Sequence, residues 1–263
     1  MYFGYKNIYI TFGKKEILKD VTMSFEKNKV STIIGKNGCG KSSLLRILSN
    51  AVKPISGEVI FEDKLLKEYT RKDIAKRIAI LPQVHDAPSD TTVETLVSYG
   101  RYPHKHKSIM TSKEDEEIIS QSMELMGLTD IRKQSLGTLS GGQRQRAWIA
   151  MTLTQQPEIL ILDEPTTHLD ITYQIEILSL IESLNKKFGL TVIMVLHDLN
   201  QASRYSHKMY VINNKKVEAI GTPNEILTTS MMEKVFSLKT TILEDNYAKR
   251  PYFLAKYSVK HNK

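Results

Sequence analysis

Apolar positions in this chain follow two rhythms. Short β-rich runs mark strands: Val30–Ile34, stopped by Gly35; Glu58–Phe61, after Gly57; and Ile78–Leu81, stopped by Pro82. Two more runs, Ile159–Leu162 and Thr191–Leu196, read as buried strands, with the charged amphipathic stretch Ile171–Lys187 between them. Strand, helix, strand in that order predicts a parallel sheet. The helical rhythm first shows in Ser42–Val52, with Leu44, Leu45, Ile47, Leu48, Ala51 and Val52 on one face. It dominates from about Val84 to Gln156. There Ser112 and Asp115 form a start signal, Ile118, Ile119, Met123 and Met126 line a face, and Gly127 marks a stop. Met209–Ile212 and Val217–Ile220, joined by Asn213-Asn214, predict a hairpin. Thr222-Pro223-Asn224-Glu225 predicts a capped helix start. The pattern as a whole predicts an α/β core interrupted by a mostly helical insertion.

Composition adds exclusions. With 263 residues, 41% hydrophobic and 25% charged, the chain can bury a large core and is neither disordered nor fibrous. A single cysteine, Cys39, excludes an internal disulfide and points to a reducing compartment. The first dozen residues lack the pattern of a signal peptide, and no apolar run approaches the roughly 20 residues of a membrane span. The net charge is +8. Five of those positives, Lys249, Arg250, Lys256, Lys260 and Lys263, fall in the last 17 residues without an acid among them, leaving +3 for the body. The basic character is thus a property of the tail. It suits an anionic membrane surface or a solvated end and argues little for nucleic acid.

Gly35-Lys36-Asn37-Gly38-Cys39-Gly40-Lys41-Ser42 matches the phosphate-loop pattern between a predicted strand and a predicted helix. Glycines let backbone N–H groups converge on phosphate oxygens, and the following helix turns its positive end to the same anion. Lys41 is expected to neutralise the β- and γ-phosphates, and the Ser42 hydroxyl to ligate Mg²⁺. Ile159–Leu162 ends in Asp163 and Glu164. Strand carboxyl ends face the ligand crevice in parallel sheets. Asp163 is therefore expected beside the metal, and Glu164 is placed to orient or deprotonate a water.

Leu139-Ser140-Gly141-Gly142-Gln143, together with these two motifs, makes the chain resemble the ATP-binding subunit of an ABC transporter from about Ile8 to Ile242. Gln83 resembles the Q-loop glutamine, Thr167-His168-Leu169-Asp170 the D-loop, and His197 the switch histidine. Phe12 stands where an aromatic side chain stacks on adenine. Gly100-Arg101-Tyr102-Pro103, Ala147-Trp148-Ile149-Ala150-Met151 and Val195–Ala202 resemble ferric-siderophore importers most closely, with haem and cobalamin importers as near relatives.

The resemblance implies a single ABC ATPase domain over 1–263: a P-loop NTPase core with a mixed sheet, an antiparallel β-subdomain, a helical subdomain over approximately 84–156, and a C-terminal helix and basic tail over approximately 222–263. It implies ATP and Mg²⁺. Glu164 would be the base, with His197, Gln83 and Lys41 also catalytic. Nucleotide would be held by Phe12, Gly35, Asn37, Gly38, Cys39, Gly40, Lys41, Ser42, Ser43, Ser140, Gly141, Gly142, Gln143 and Asp170, and the metal by Ser42, Gln83 and Asp163. It further implies a head-to-tail homodimer with ATP between phosphate loop and Ser140–Gln143 of opposite copies, integral permease subunits, and an extracytoplasmic binding protein as an indirect partner. No nucleic-acid partner is expected. The implied place is the cytoplasmic face of the membrane, peripherally bound. The implied work is ATP hydrolysis that energises ferric-siderophore uptake. The alternatives are haem or cobalamin import, or a soluble ABC ATPase acting on nucleic acid or ribosomes.

Other residues carry milder expectations. His168 has no catalytic role, and Trp148 packs a helix. His104, Lys105, His106 and Lys107 form a solvated loop. Cys39 is a small filler of the phosphate loop; the alternative is a reactive thiol, because a positive loop lowers a thiol pKa.

Overall fold

The computed structural model describes residues 1–48, 52–105 and 112–259. In chain order the strands are β1 (Phe3–Phe12), β2 (Lys15–Phe25), β3 (Val30–Gly35), β4 (Ser56–Phe61), β5 (Lys64–Leu65), β6 (Ile78–Leu81), β7 (Ile159–Asp163), β8 (Thr191–Val195), β9 (Lys208–Asn213), β10 (Lys216–Gly221), β11 (Leu238–Asp245) and β12 (Arg250–Ser258). The helices are α1 (Lys41–Leu48), α2 (Arg71–Arg77), α3 (Val93–Ser98), α4 (Lys113–Leu125), α5 (Gly141–Leu153), α6 (Ile171–Phe188), α7 (Leu199–Tyr205) and α8 (Pro223–Ile226). The chain divides into two compact units, Met1–Glu68 with Thr191–Lys263, and Tyr69–Leu190.

In the first unit β3 is fully buried over Val30–Ile34 and is flanked by two parallel neighbours: β8, with Val30 opposite Val192, and β9, with Ser31 opposite Lys208. Both faces of such a strand are covered, so Ser31 and Thr32 are buried along with Val30, Ile33 and Ile34 and burial does not alternate. The hairpin β9–β10 forms, but its turn lies one residue later than expected: Asn213 pairs with Lys216, and Asn214 and Lys215, both at positive φ, make the turn. A separate antiparallel sheet, β2-β1-β4-β5, does alternate in burial along β2. Its inner face carries Phe3, Phe25 and Phe61, with Phe3 edge-on to Phe61. Burying these rings supplies about 1.5–3 kcal/mol each before entropy is counted. The Tyr5 hydroxyl donates to the Leu44 carbonyl at 2.6 Å, fixing this sheet against α1.

The second unit pairs β6 with β7 in parallel, Ile78 opposite Ile159, and adds the helices that the sequence pattern placed between them. Helix α4 starts at a full capping box, Ser112 with Asp115, as its sequence signals. Gly127 follows it at φ +63°. Arg101 is 4% exposed; its Nε donates to Asp115 Oδ1 at 2.6 Å and its Nη1 to the Thr154 carbonyl at 2.7 Å. One guanidinium thus ties α4 to the end of α5, and a lysine could not make the forked contact. Trp148 is buried on α5, against His85, in the packing role expected of it. His104 is not simply solvated: its Nε2 meets the Gln155 carbonyl at 2.8 Å, and burial holds its pKa below the usual histidine value. His106 and Lys107 lie outside the described residues, as do Ala51, Lys260 and Lys263.

The C-terminal region departs from expectation. In place of a helix and tail, the capped turn α8 and a short irregular helical stretch lead into an antiparallel hairpin, β11–β12, with Thr241 opposite Leu254. Within it, Arg250 faces Asp245 across the strands. Three of the tail cations, Lys249, Arg250 and Lys256, belong to ordered hairpin rather than to a loose end. β-Branched and aromatic residues were available in Leu238–Ser258, at Thr240, Thr241, Ile242, Tyr252, Phe253 and Tyr257, and the partner surface for β12 comes from α7.

Candidate nucleotide site

The phosphate loop joins β3 to α1. Gly35 sits at φ +154°, and a Cβ there would lie 2.3 Å from the Ile212 carbonyl oxygen on β9. No side chain fits this turn, so the backbone alone shapes its mouth. Lys41 is 5% exposed, and its Nζ donates to the carbonyls of Gly35 at 2.9 Å and Lys36 at 3.0 Å. A buried ammonium is tolerated only when its protons are satisfied, and the loop's own carbonyls do so here. Gly38 and Gly40 both take positive φ, and Ser42 and Ser43 open α1 behind them. Cys39 is half-buried, 3.9 Å from Lys41 Nζ. Burial raises its thiol pKa, and Lys41 offsets that only in part. Desolvation outweighs the neighbouring positive charge, which favours the filler over the reactive thiol.

Phe12 ends β1, paired with Lys15, and leaves its ring about half exposed at 48%. His197 follows β8 and is exposed, directly before Asp198, which caps α7 by accepting from the N–H groups of Asn200 and Gln201. Gly35, Lys36, Asn37 and His197 line one open cavity of about 510 Å³ together with Phe236, Leu238 and Phe253. The first unit therefore brings the phosphate loop and His197 to one place. It also adds a wall from the C-terminal hairpin that no local motif announced.

In the second unit, β7 delivers Asp163, 7% exposed, and then Glu164. Glu164 takes φ +55°, in the left-handed region that non-glycine residues rarely adopt. Strain of this kind survives only where surroundings enforce it, and it concentrates at functional sites. Two hydrogen bonds hold the side chain. Gln83 Nε2 donates to Glu164 Oε2 at 2.6 Å, and Thr167 Oγ1 donates to the same oxygen at 3.1 Å. Thr167 had not been singled out as a site residue; its place three residues after Glu164, on a turn closed by Thr167 N–H to the Glu164 carbonyl, is the signal that was there to read.

The Ser140–Gln143 segment opens α5. Ser140 Oγ accepts from the Gln143 N–H at 3.2 Å, and Gln143 Oε1 accepts from the Ser140 N–H at 3.0 Å. That capping box leaves the Ser140 hydroxyl proton available to an outside acceptor. A Cβ on Gly142 would lie 2.5 Å from the Tyr173 ring, so this glycine lets α6 pack against α5. Asp170 caps α6 through the Tyr173 N–H at 3.1 Å. His168, at φ +65°, shapes the turn between.

Among the described residues, no three His, Cys, Asp or Glu side chains converge as a metal cage. Mg²⁺ does not need one: it keeps waters and takes one or two hard oxygens from protein beside phosphate oxygens. The Ser42 hydroxyl and the buried Asp163 carboxylate are donors of that kind. No helix among the described residues is long and apolar enough to cross a membrane.

The family model described as ABC transporter matches residues 18–167. The iron(3+)-hydroxamate import ATP-binding protein of Bacillus subtilis is 42% identical over 254 residues, covering 97% of this chain and 94% of that protein. The ferric enterobactin transport ATP-binding protein of Escherichia coli is 44% identical over 240 residues, covering 91% and 89%. Among solved structures, a dimeric ATP-binding cassette in a post-hydrolysis state with ADP and Pi is similar at a TM-score of 0.71 and 26% identity, over 84% of this chain and 98% of that one.

Proposed function

Since this chain belongs to the ABC transporter family as an ATP-hydrolysing subunit, we propose that it energises the uptake of ferric siderophore through integral permease subunits, from the cytoplasmic face of the membrane. Two observations support the cargo. Both relatives described above are named for ferric chelates, and each aligns with about nine tenths or more of the chain. The cargo would reach the permease from an extracytoplasmic binding protein.

The mechanism follows from the residues. The backbone N–H groups of Gly38 to Lys41 and the Lys41 ammonium bind the β- and γ-phosphates of ATP, and Ser43 adds a hydroxyl at the same helix start. Phe12 offers an apolar face for the adenine. Ser42, Asp163 and Gln83 would hold Mg²⁺, which neutralises charge on the phosphate oxygens when bound. Glu164 takes a proton from the attacking water, with Gln83 and Thr167 fixing its carboxylate. His197 steadies the γ-phosphate as charge develops. In a head-to-tail dimer, Ser140, Gly141, Gly142 and Gln143 of one copy complete the γ-phosphate shell of the other, with Asp170 at the same boundary. A likeness to a dimeric cassette supports this arrangement. Loss of the γ-phosphate after hydrolysis then removes the contact that closes the dimer.

Uptake of radiolabelled cargo tests the proposal in cells lacking this chain, complemented by wild type or by Glu164→Gln. The panel is a catecholate and a hydroxamate ferric siderophore, haem and cobalamin. Loss of siderophore uptake restored only by wild type is the expected result. Loss confined to haem or cobalamin would reassign the cargo. Ser140→Arg separates dimer action from simple binding: nucleotide affinity of the single chain should stay within about twofold while turnover is abolished, because the blocked γ-phosphate belongs to the other copy.

A further inference from the structure

The hairpin β11–β12 does more than line the cavity beside His197. Asn200, in the first turn of α7, makes a two-point contact with the backbone of Phe253: its Nδ2 donates to the Phe253 carbonyl at 3.2 Å, and its Oδ1 accepts from the Phe253 N–H at 2.9 Å. One turn on, the fully buried Ser203 donates from Oγ to the Pro251 carbonyl at 2.5 Å. Asn200 and Ser203 are three apart on a helix, and Pro251 and Phe253 two apart on a strand, so each pair lies on one face. The helix is thus laced to the strand at two levels. The lacing reaches His197 by a short route. The Asn200 N–H is itself held by Asp198, which follows His197 directly. At the other end of the cavity Lys36, inside the phosphate loop, donates from Nζ to Ser237 Oγ at 3.2 Å, just before β11 begins.

We propose that Asn200 is a positioning residue for ATP hydrolysis, tying the His197 segment to the C-terminal hairpin so that the imidazole stays in the geometry its role requires. The proposal rests on the role given to His197 above. A side-chain amide carries a donor and an acceptor side by side, and so can satisfy the backbone N–H and the carbonyl of one residue at once. Two hydrogen bonds in opposite directions also fix rotation as well as distance. The hairpin thereby becomes part of the hydrolytic apparatus while touching no nucleotide. A helix whose first turn is free to shift would move the histidine by a fraction of an ångström, enough to lower the rate without changing how ATP is held.

The test is steady-state ATP hydrolysis by the full-length chain, with ATP affinity measured in parallel. Asn200→Ala is expected to lower kcat about tenfold while KM and ATP affinity stay within about twofold, the signature of an interaction used in the transition state. Asn200→Asp keeps the acceptor for the Phe253 N–H and loses the donor, so its kcat should fall between the two. In a His197→Ala background, either Asn200 substitution should change the residual rate by less than about twofold, since residues acting as one unit are not additive. Equal losses in both backgrounds, or a wild-type kcat in Asn200→Ala, would overturn the proposal. If circular dichroism shows Asn200→Ala to be unfolded, Asn200→Asp carries the same comparison. The underlying assignment is read first and separately: His197→Ala at wild-type turnover removes the role of the histidine itself. A slow His197→Ala with additive Asn200 effects removes only the positioning.

Discussion

Gln83 and Glu164 are joined by a 2.6 Å hydrogen bond from the amide nitrogen of one to Oε2 of the other, although 81 residues separate them in sequence. A glutamine two residues past β6 thus holds the carboxylate that follows β7, where two parallel strands end side by side. Substituting either partner should affect hydrolysis in a different way. Glu164→Gln keeps the hydrogen-bonding shape and loses the basic oxygen, so kcat should fall by about two to four orders of magnitude with ATP still bound. Gln83→Ala leaves the base but frees its orientation, and kcat should drop only about tenfold. Single-turnover hydrolysis with labelled ATP distinguishes them, and equal losses would contradict this division.

Lys41 spends two protons on the carbonyls of Gly35 and Lys36 and still faces the loop interior. Lys41→Ala removes both the phosphate charge partner and the brace on the loop. ATP affinity should fall about a hundredfold, a loss expected of a buried charge-assisted contact. Equilibrium binding of a fluorescent ATP analogue measures it, and unchanged affinity would exclude the role.

The Arg101–Asp115 pair makes a prediction about pH. Burial alone would raise the Asp115 pKa, but hydrogen bonds from Arg101 and Ser112 outweigh it and leave the pKa below the ordinary value. A depressed folded-state pKa contributes stability above the unfolded value of about 3.9 and loses it as pH falls through the folded one. The advantage of wild type over Asp115→Asn in urea unfolding should therefore be constant from pH 7 to 5 and shrink below about pH 4. Arg101→Ala strands the carboxylate and should cost about 3–5 kcal/mol at pH 7.

Cys39 should alkylate slowly. Its thiol is raised by burial, so the thiolate fraction at neutral pH is smaller than that of a free cysteine. The rate with iodoacetamide at pH 7.5 should be at least about threefold below that of free cysteine, rise with pH, and fall further when ATP covers the loop. Modification faster than free cysteine would show an activated thiol instead.

Much of this protein is legible in order along the chain. The apolar runs of β7 and β8 declare strands covered on both faces, β3 is marked by a short β-rich run, and the phosphate loop is a local turn whose glycines are dictated by its own backbone. The capping signals at Ser112 and Thr222 are also local, and both form as read. Harder to read were β1 and β2. Their register slips at several points, Tyr5 to Ile8 among them, and each slip breaks the two-residue alternation by which a strand is recognised.

What the sequence determined by itself is the chemistry on offer: a phosphate loop and an acidic strand end, each requiring only its neighbours, with Gln83, His197 and Ser140–Gln143 added by the family resemblance. Tertiary structure alone decided which of these act on one another. The bond from Gln83 to Glu164, the pairing of Asn200 with Phe253, and the reach of Arg101 to Thr154 join residues tens of positions apart. Such contacts form only once buried strands and helices have fixed the ends of long loops. Tertiary structure also decided the acidity of Cys39 and the strand form of Leu238–Ser258. Desolvation and the surface a strand packs on are properties of neighbours in space, and short-range pattern does not carry them.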